Sequence, residues 1–332
     1  MIKVKVTHPY GNWPLARQTP KNLGIWGECQ FFINDNIEEC DYWFVLDDVT
    51  NNESTICSFK NTIIITLEFP SIRPSINLRF LKQFNTVFTY SRKIDHPKVI
   101  DVLSPFPWHI GVDNTNSDTI TKDYKIYDDF KSLEILDKSK LISVISSNKV
   151  YTEGHRQRLE FIEALKVYFG ESIDIFGRGI NSFADKWDTI APYKYHISLE
   201  NSACNNGISE KLYDCFLGES FPFYYGCPNV STYFSNKSFI SIDINDISHS
   251  LQLIESSISN QVYDKSTEYI QNSKHLVLDK YNIFSLMANY CSNNFSSRQA
   301  KSLITIRPES YFNDSSNSVN KRLFGWLKSF NR

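Results

Sequence analysis

Short, continuous apolar runs separated by polar, turn-forming stretches dominate the first third of the chain. Tyr42-Trp-Phe-Val-Leu46 and Thr62-Ile-Ile-Ile-Thr66 are β-branched or aromatic and bounded by Asp, Asn and Ser. That pattern predicts strands covered on both faces, as in a parallel sheet. Met1-Ile-Lys-Val-Lys-Val-Thr7 alternates and predicts a first strand. Leu78 to Phe84 predicts a helix, and Thr86 to Tyr90 another strand. Ser104-Pro-Phe-Pro-Trp108 is a loop, because proline can sit neither inside a helix nor in a central strand. A polar stretch from Asp113 to Asp128 marks the way out of a first domain.

The pattern then restarts. Leu141 to Ile145 predicts a strand. From His155 to Phe169, apolar residues at Leu159, Phe161, Ile162, Leu165 and Tyr168 have helical spacing. Ser172–Phe176 and Tyr195–Leu199 predict strands, Ser209–Leu217 a helix, and Phe221–Tyr225 and Phe239–Ile242 further strands. Strand, helix, strand in this order is the grammar of a doubly wound α/β sheet with right-handed crossovers. Two such domains would place a ligand cleft between them, at the carboxyl ends of the strands.

Composition narrows the class. A length of 332 residues allows two domains with cores of their own, and a formal net charge of −2 argues against a nucleic-acid binder. The seven cysteines form no C-x-x-C pair, so neither a zinc site nor a redox motif is indicated, and buried thiols in a reducing cytoplasm are expected. The N-terminus lacks the pattern of a signal peptide, and no run of 18 apolar residues exists. The absence of G-x-G-x-x-G and G-x-x-x-x-G-K-[ST] disfavours dinucleotide and P-loop enzymes.

The most informative stretch runs from Tyr193 to Tyr213. A buried strand ends in Glu200-Asn201-Ser202, a polar loop contains Gly207, and a helix opens at Ser209-Glu210-Lys211. A helix N-terminus offers oriented N–H groups and a positive dipole end. Lys211 in the first turn is unfavourable there unless an anion, such as a diphosphate, occupies that end. The plainer reading is an N-cap at Ser209 and a strand-end surface residue at Glu200.

Five motifs in order over about residues 140–245 resemble the α-1,3/1,4-fucosyltransferases, glycosyltransferase family 10. They are Arg156-Gln-Arg-Leu-Glu-Phe161, Ile173-Asp-Ile-Phe-Gly-Arg-Gly179, Leu199-Glu-Asn-Ser202 with Gly207-Ile-Ser-Glu-Lys-Leu212, Phe221-Pro-Phe-Tyr-Tyr-Gly-Cys-Pro228 and Asn236-Lys-Ser-Phe-Ile240. Upstream, Thr66-Leu-Glu-Phe-Pro70 resembles the family's E-S-P element, while Tyr90-Ser-Arg-Lys93 is a degraded form of another. Gly207 stands where many relatives have tyrosine, and Ser209 replaces the usual threonine.

The resemblance implies a GT-B-like fold with an acceptor-binding domain over 1–135, a GDP-sugar domain over 136–312 and a tail over 313–332. It implies an enzyme that moves L-fucose from GDP-fucose to a glycan hydroxyl in surface polysaccharide or lipopolysaccharide synthesis, with no required metal and a divalent ion at most stimulatory. Arg158 and Lys211 would take the charge of the leaving diphosphate, Glu210 the ribose hydroxyls, and Asn201 and Ser202 the nucleotide sugar. Glu200 would either join them or brace the loop. Glu68 would be the base, with a carboxyl raised by partial burial. A transferase using another GDP-sugar, or a non-catalytic glycan-binding protein with a relict donor site, stays open.

Other features are read more plainly. Asp47-Asp48 after a strand reads as a turn rather than a metal pair, and His96, His109 and His196 are not spaced as ligands. Trp13, Trp26 and Trp108 read as an acceptor platform or as core. In the tail, Val319, Leu323, Phe324, Trp326, Leu327 and Phe330 group opposite Lys321, Arg322, Lys328 and Arg332. This predicts a basic amphipathic helix, lying on the inner membrane surface of a cytoplasmic protein or packed on the body.

Overall fold

The computed structural model describes residues 1–90, 93–113, 123–146, 153–177, 179–296 and 299–313. In chain order the strands are β1 (Ile2–Thr7), β2 (Ile25–Trp26), β3 (Cys29–Ile33), β4 (Tyr42–Leu46), β5 (Glu53–Cys57), β6 (Thr62–Ile65), β7 (Thr86–Thr89), β8 (Val99–Asp101), β9 (Lys140–Ile145), β10 (Ile173–Phe176), β11 (Tyr193–Leu199), β12 (Phe221–Tyr225), β13 (Ile240–Ser241) and β14 (Ser302–Ile306). The helices are α1 (Leu78–Leu81), α2 (Tyr127–Ser132), α3 (Glu153–Phe169), α4 (Trp187–Ile190), α5 (Glu210–Leu217), α6 (Ile247–Ser259), α7 (Val262–His275) and α8 (Ile283–Asn294).

The chain forms two compact units, each an α/β body around a parallel sheet. The first holds a seven-stranded sheet of order β2-β3-β1-β4-β6-β7-β8, parallel except for the β2–β3 pair. Its two central strands behave as their composition demands: every residue of β4 and β6 is buried. The second unit holds a five-stranded parallel sheet of order β10-β9-β11-β12-β13.

The divisions differ from those the sequence suggested. Among the described residues, those of 1–105 and 282–313 make the first unit, and those of 106–113 and 123–281 belong to the second. Two packing facts explain the shift. Segment 106–113 is anchored on the second unit, where Trp108 packs edge-on against Phe130 of α2 with ring centroids 5.8 Å apart. The C-terminal β14 pairs antiparallel with β5, and Ile306 enters the core formed by Trp43, Val45, Ile64, Phe80 and Val87. Trp108 is thus a core residue of the second unit, fully buried, whereas Trp13 and Trp26 are half-buried in the first.

Asp47 and Asp48 follow β4 as a buried turn. Asp47 accepts from the Tyr10 hydroxyl at 2.6 Å and the Leu67 amide at 2.8 Å, and Asp48 from the Val49 and Glu309 amides at 2.8 and 3.0 Å. His196, inside β11, contacts the Ser143 hydroxyl at 2.8 Å, and burial pushes its imidazole down to about 3. Among the described residues no helix is long and apolar enough to cross a membrane. Tail residues 314–332 lie outside them.

Candidate functional site

The carboxyl end of β11 builds the candidate site of the second unit. Between β9 and β12, its residues Tyr193, Tyr195, Ile197 and Leu199 are buried, so the strand's end is fixed in position. One residue on, the Glu200 amide still donates to the Tyr225 carbonyl at 2.9 Å. A polar turn follows and delivers the chain to α5. Ser209 caps that helix, accepting from the Lys211 amide at 3.3 Å.

Glu200 is fully buried beneath the turn. Its carboxylate accepts from the Ser209 amide at 2.8 Å and the Ser209 hydroxyl at 2.6 Å, with Lys211 Nζ at 3.6 Å. Burial pushes the Glu200 carboxyl up, and the Lys211 charge and the Ser209 donors offset this only in part. In this geometry Glu200 braces the loop through Ser209. The brace explains Gly226: a Cβ there would stand 2.4 Å from Glu200 Cγ and 2.5 Å from the Tyr224 hydroxyl, so no side chain fits. Gly177, at the end of β10, is fixed for a similar reason. With φ +148° it lets the backbone pass where a Cβ would lie 1.5 Å from the Ser146 carbonyl oxygen.

Arg158 comes from α3. The residue is only 7% exposed, and Nη1 donates to Asn201 Oδ1 at 2.5 Å. Its Nε is buried with no hydrogen-bond partner among the described residues. Burial works against the charge, and nearby Glu200 favours it. A cation held this way is costly to the fold and suited to an anion.

Glu210 and Lys211 open α5. Lys211 Nζ lies 3.1 Å from Glu210 Oε1 and 3.1 Å from the Ser209 hydroxyl. Lys186 Nζ reaches Glu210 Oε1 at 3.5 Å and Asp214 Oδ2 at 2.7 Å. Burial alone would raise the Glu210 carboxyl, but Lys211 and Lys186 outweigh it and hold the group well below the usual carboxylate range. His109 Nδ1 stands 3.9 Å from the same oxygen, and burial pushes that imidazole down to about 4, so it is neutral near pH 7.

Of the expected residues, Glu200, Glu210 and Lys211 are joined around Ser209, Arg158 pairs with Asn201 beside Glu200 on the same turn, and Ser202 follows, half-buried. Lys186, Asp214 and His109 were missed. The first two carried no signal beyond being charged, and His109 was set aside on spacing. Glu68 belongs to the first unit, half-buried in the loop after β6, with its amide 3.4 Å from Asp47 Oδ1. No cluster of three or more His, Cys, Asp or Glu among the described residues is arranged to hold a metal ion.

Comparison with known proteins places this network in context. Residues 135–297 match the family described as glycosyltransferase family 10 (fucosyltransferase), C-terminal part. An alpha-(1,3)-fucosyltransferase of Helicobacter pylori is 29% identical over 58 residues, which is 18% of this chain and 12% of that protein. The match therefore spans about an eighth of the relative's length. Among solved structures, an alpha-glucosyltransferase with UDP and a DNA 13-mer has TM-score 0.51 at 11% identity, covering 88% of this chain and 99% of its own. That likeness shows the fold, GT-B-like. An alpha1,3-fucosyltransferase with GDP-fucose has TM-score 0.45 at 14% identity, covering 85% and 92%.

Proposed function

We propose that this chain, whose residues 135–297 match the C-terminal part of glycosyltransferase family 10, transfers L-fucose from GDP-fucose to a glycan hydroxyl with inversion. The observation that carries the donor reading is the buried Arg158 guanidinium. Its Nε lacks a partner among the described residues, and Asn201 ties it to the turn that leads into the N-terminus of α5. A diphosphate supplies what that arrangement lacks: acceptor oxygens for the guanidinium and an anion for the helix dipole.

The chemistry follows from the residues. Arg158 and Lys211 stabilise negative charge as it builds on the leaving GDP, each contact contributing about 1.5–3 kcal/mol. Lys211 is held near Glu210 and Glu200, so its charge is prepositioned before the donor arrives. Glu210, held ionised, accepts from the ribose hydroxyls, and Asn201 and Ser202 contact the nucleotide sugar. The acceptor hydroxyl attacks C1 of fucose, its proton passes to Glu68, and the C1–O bond to GDP breaks. Because the two cations neutralise the leaving group, we assign the reaction no required metal. The first unit binds the acceptor, a surface polysaccharide or lipopolysaccharide glycan, in the cytoplasm. The basic amphipathic stretch 319–332 makes peripheral contact with the inner membrane.

The test is transfer to a LacNAc-type acceptor with GDP-fucose and GDP-mannose in parallel, with and without EDTA. GDP-fucose turnover surviving EDTA is expected, and Glu68→Gln should lower it by about 10²–10⁴ while GDP binding is retained. Preferential turnover of GDP-mannose would refute the donor assignment. Unchanged turnover in Glu68→Gln would refute the base.

A further inference from the structure

Asp214 sits on α5 one turn after Glu210, on the same helix face, and is fully buried. Its Oδ1 accepts from the backbone amides of His109 and Ile110 at 3.0 and 3.1 Å. Its Oδ2 accepts from Lys186 at 2.7 Å. Asp185, next to Lys186, accepts at one oxygen from the Gly111 and Trp187 amides, both at 2.8 Å. The two neighbouring carboxylates therefore fasten loop 109–111 and the start of α4 to the middle of α5, and Lys186 extends this to Glu210 in the first turn.

Asp214 alone would satisfy the charge of Lys186. Lys186 instead spans Asp214 and Glu210, and it approaches the Glu210 oxygen that also receives Lys211, Oε1. A carboxylate pulled by two cations at one oxygen has its rotation fixed. Because Asp214 is anchored to three backbone or side-chain donors, Lys186 is itself held still.

We infer that Lys186 is a positioning residue which, anchored by Asp214, aims the Glu210 carboxylate at the ribose hydroxyls of the nucleotide. This rests on the nucleotide reading above. Lys186 does not touch the ligand; it acts through Glu210. Loss of Lys186 should therefore weaken only those ligands that offer Glu210 a ribose diol.

The experiment compares GDP with 2′,3′-dideoxy-GDP by calorimetric titration in wild type, Lys186→Met and Lys186→Met/Asp214→Asn. The double variant removes both members of the ion pair and leaves no uncompensated buried charge, while asparagine still accepts the His109 and Ile110 amides. Wild type should prefer GDP by about tenfold or more, the equivalent of one charge-assisted hydrogen bond. In the variants GDP should weaken by that factor while dideoxy-GDP is unchanged, and Lys186→Arg should restore the preference. In turnover, KM for the GDP-sugar should rise by about tenfold with kcat within about threefold, as for an interaction made equally in ground and transition states. A folded double variant that keeps the full GDP preference would reduce Lys186 to a fold contact and overturn the inference. A wild type that ignores the ribose hydroxyls, or does not bind GDP, would instead overturn the nucleotide reading beneath it.

Discussion

Replacing Arg158 with methionine separates a ligand-binding cation from a structural one, because the first role predicts little change in the unliganded fold and the second a large loss. Methionine keeps most of the unbranched side-chain volume and removes the charge. The folded state loses one hydrogen bond, Nη1 to Asn201 Oδ1 at 2.5 Å, worth about 1.5–3 kcal/mol as a charge-assisted contact. It also sheds a buried guanidinium whose Nε has no partner among the described residues, a relief of about 1–3 kcal/mol. Asn201 is half-exposed, so water can take up its oxygen. The two contributions nearly cancel, and ligand-free Tm should move by no more than about 2–4 °C, the equivalent of about 1 kcal/mol for a domain of this size. With GDP the outcome is different. At about 100 times the wild-type Kd, GDP should add about 2.7 kcal/mol of stability. Losing a contact of about 1.5–3 kcal/mol weakens Kd by about 10–150-fold, which leaves about 0.3–1.3 kcal/mol at the same GDP concentration. Thermal melting with and without GDP reads both quantities. A variant that melts many degrees lower yet keeps its full GDP shift would show that Arg158 serves the fold, and the diphosphate reading would fail with it.

Two further outcomes follow from geometry already described. Gly226→Ala drives a methyl into Glu200 Cγ and the Tyr224 hydroxyl, displacing the brace under Ser209, and should cost about 1–3 kcal/mol in urea unfolding; an unchanged midpoint would mean the brace is slack. His196 is held neutral with its folded value near 3, below an unfolded value near 6.5, so the unfolded state binds more protons between those limits. Its contribution is intact above pH 6.5 and lost as pH falls, about 2 kcal/mol by pH 5, and His8, lowered to about 4 by burial, adds in the same sense. Stability measured from pH 7.5 to 5 should fall, and His196→Asn should flatten the slope; a parallel slope in that variant would place the acid sensitivity elsewhere.

Much of the fold was legible in local pattern. Tyr42–Leu46 and Phe221–Tyr225 form strands over the expected residues, and Ser209 caps the expected helix, because a continuous apolar run and a hydroxyl before a helical stretch act through near neighbours. The three helices α6 to α8 went unread although Ile247, Leu251, Ile254 and Ile258 keep helical spacing. β14 could not be read from its own residues. Ser302-Leu-Ile-Thr-Ile306 is mostly exposed, and it is a strand because β5, some 250 positions earlier, presents an edge to it.

The sequence by itself determined the alternation of strands and helices, the turn from Glu200 to Ser209, and the residue types gathered along it. Only the tertiary structure decided what those residues do to one another. Glu200 became a brace because burial left its oxygens facing Ser209. Lys186 and His109 entered the site because Asp214 gathers residues up to 105 positions away around one carboxylate. Pairings over such distances are set by which sheets and loops pack together, and that packing energy is shared by the whole unit rather than encoded in any one segment.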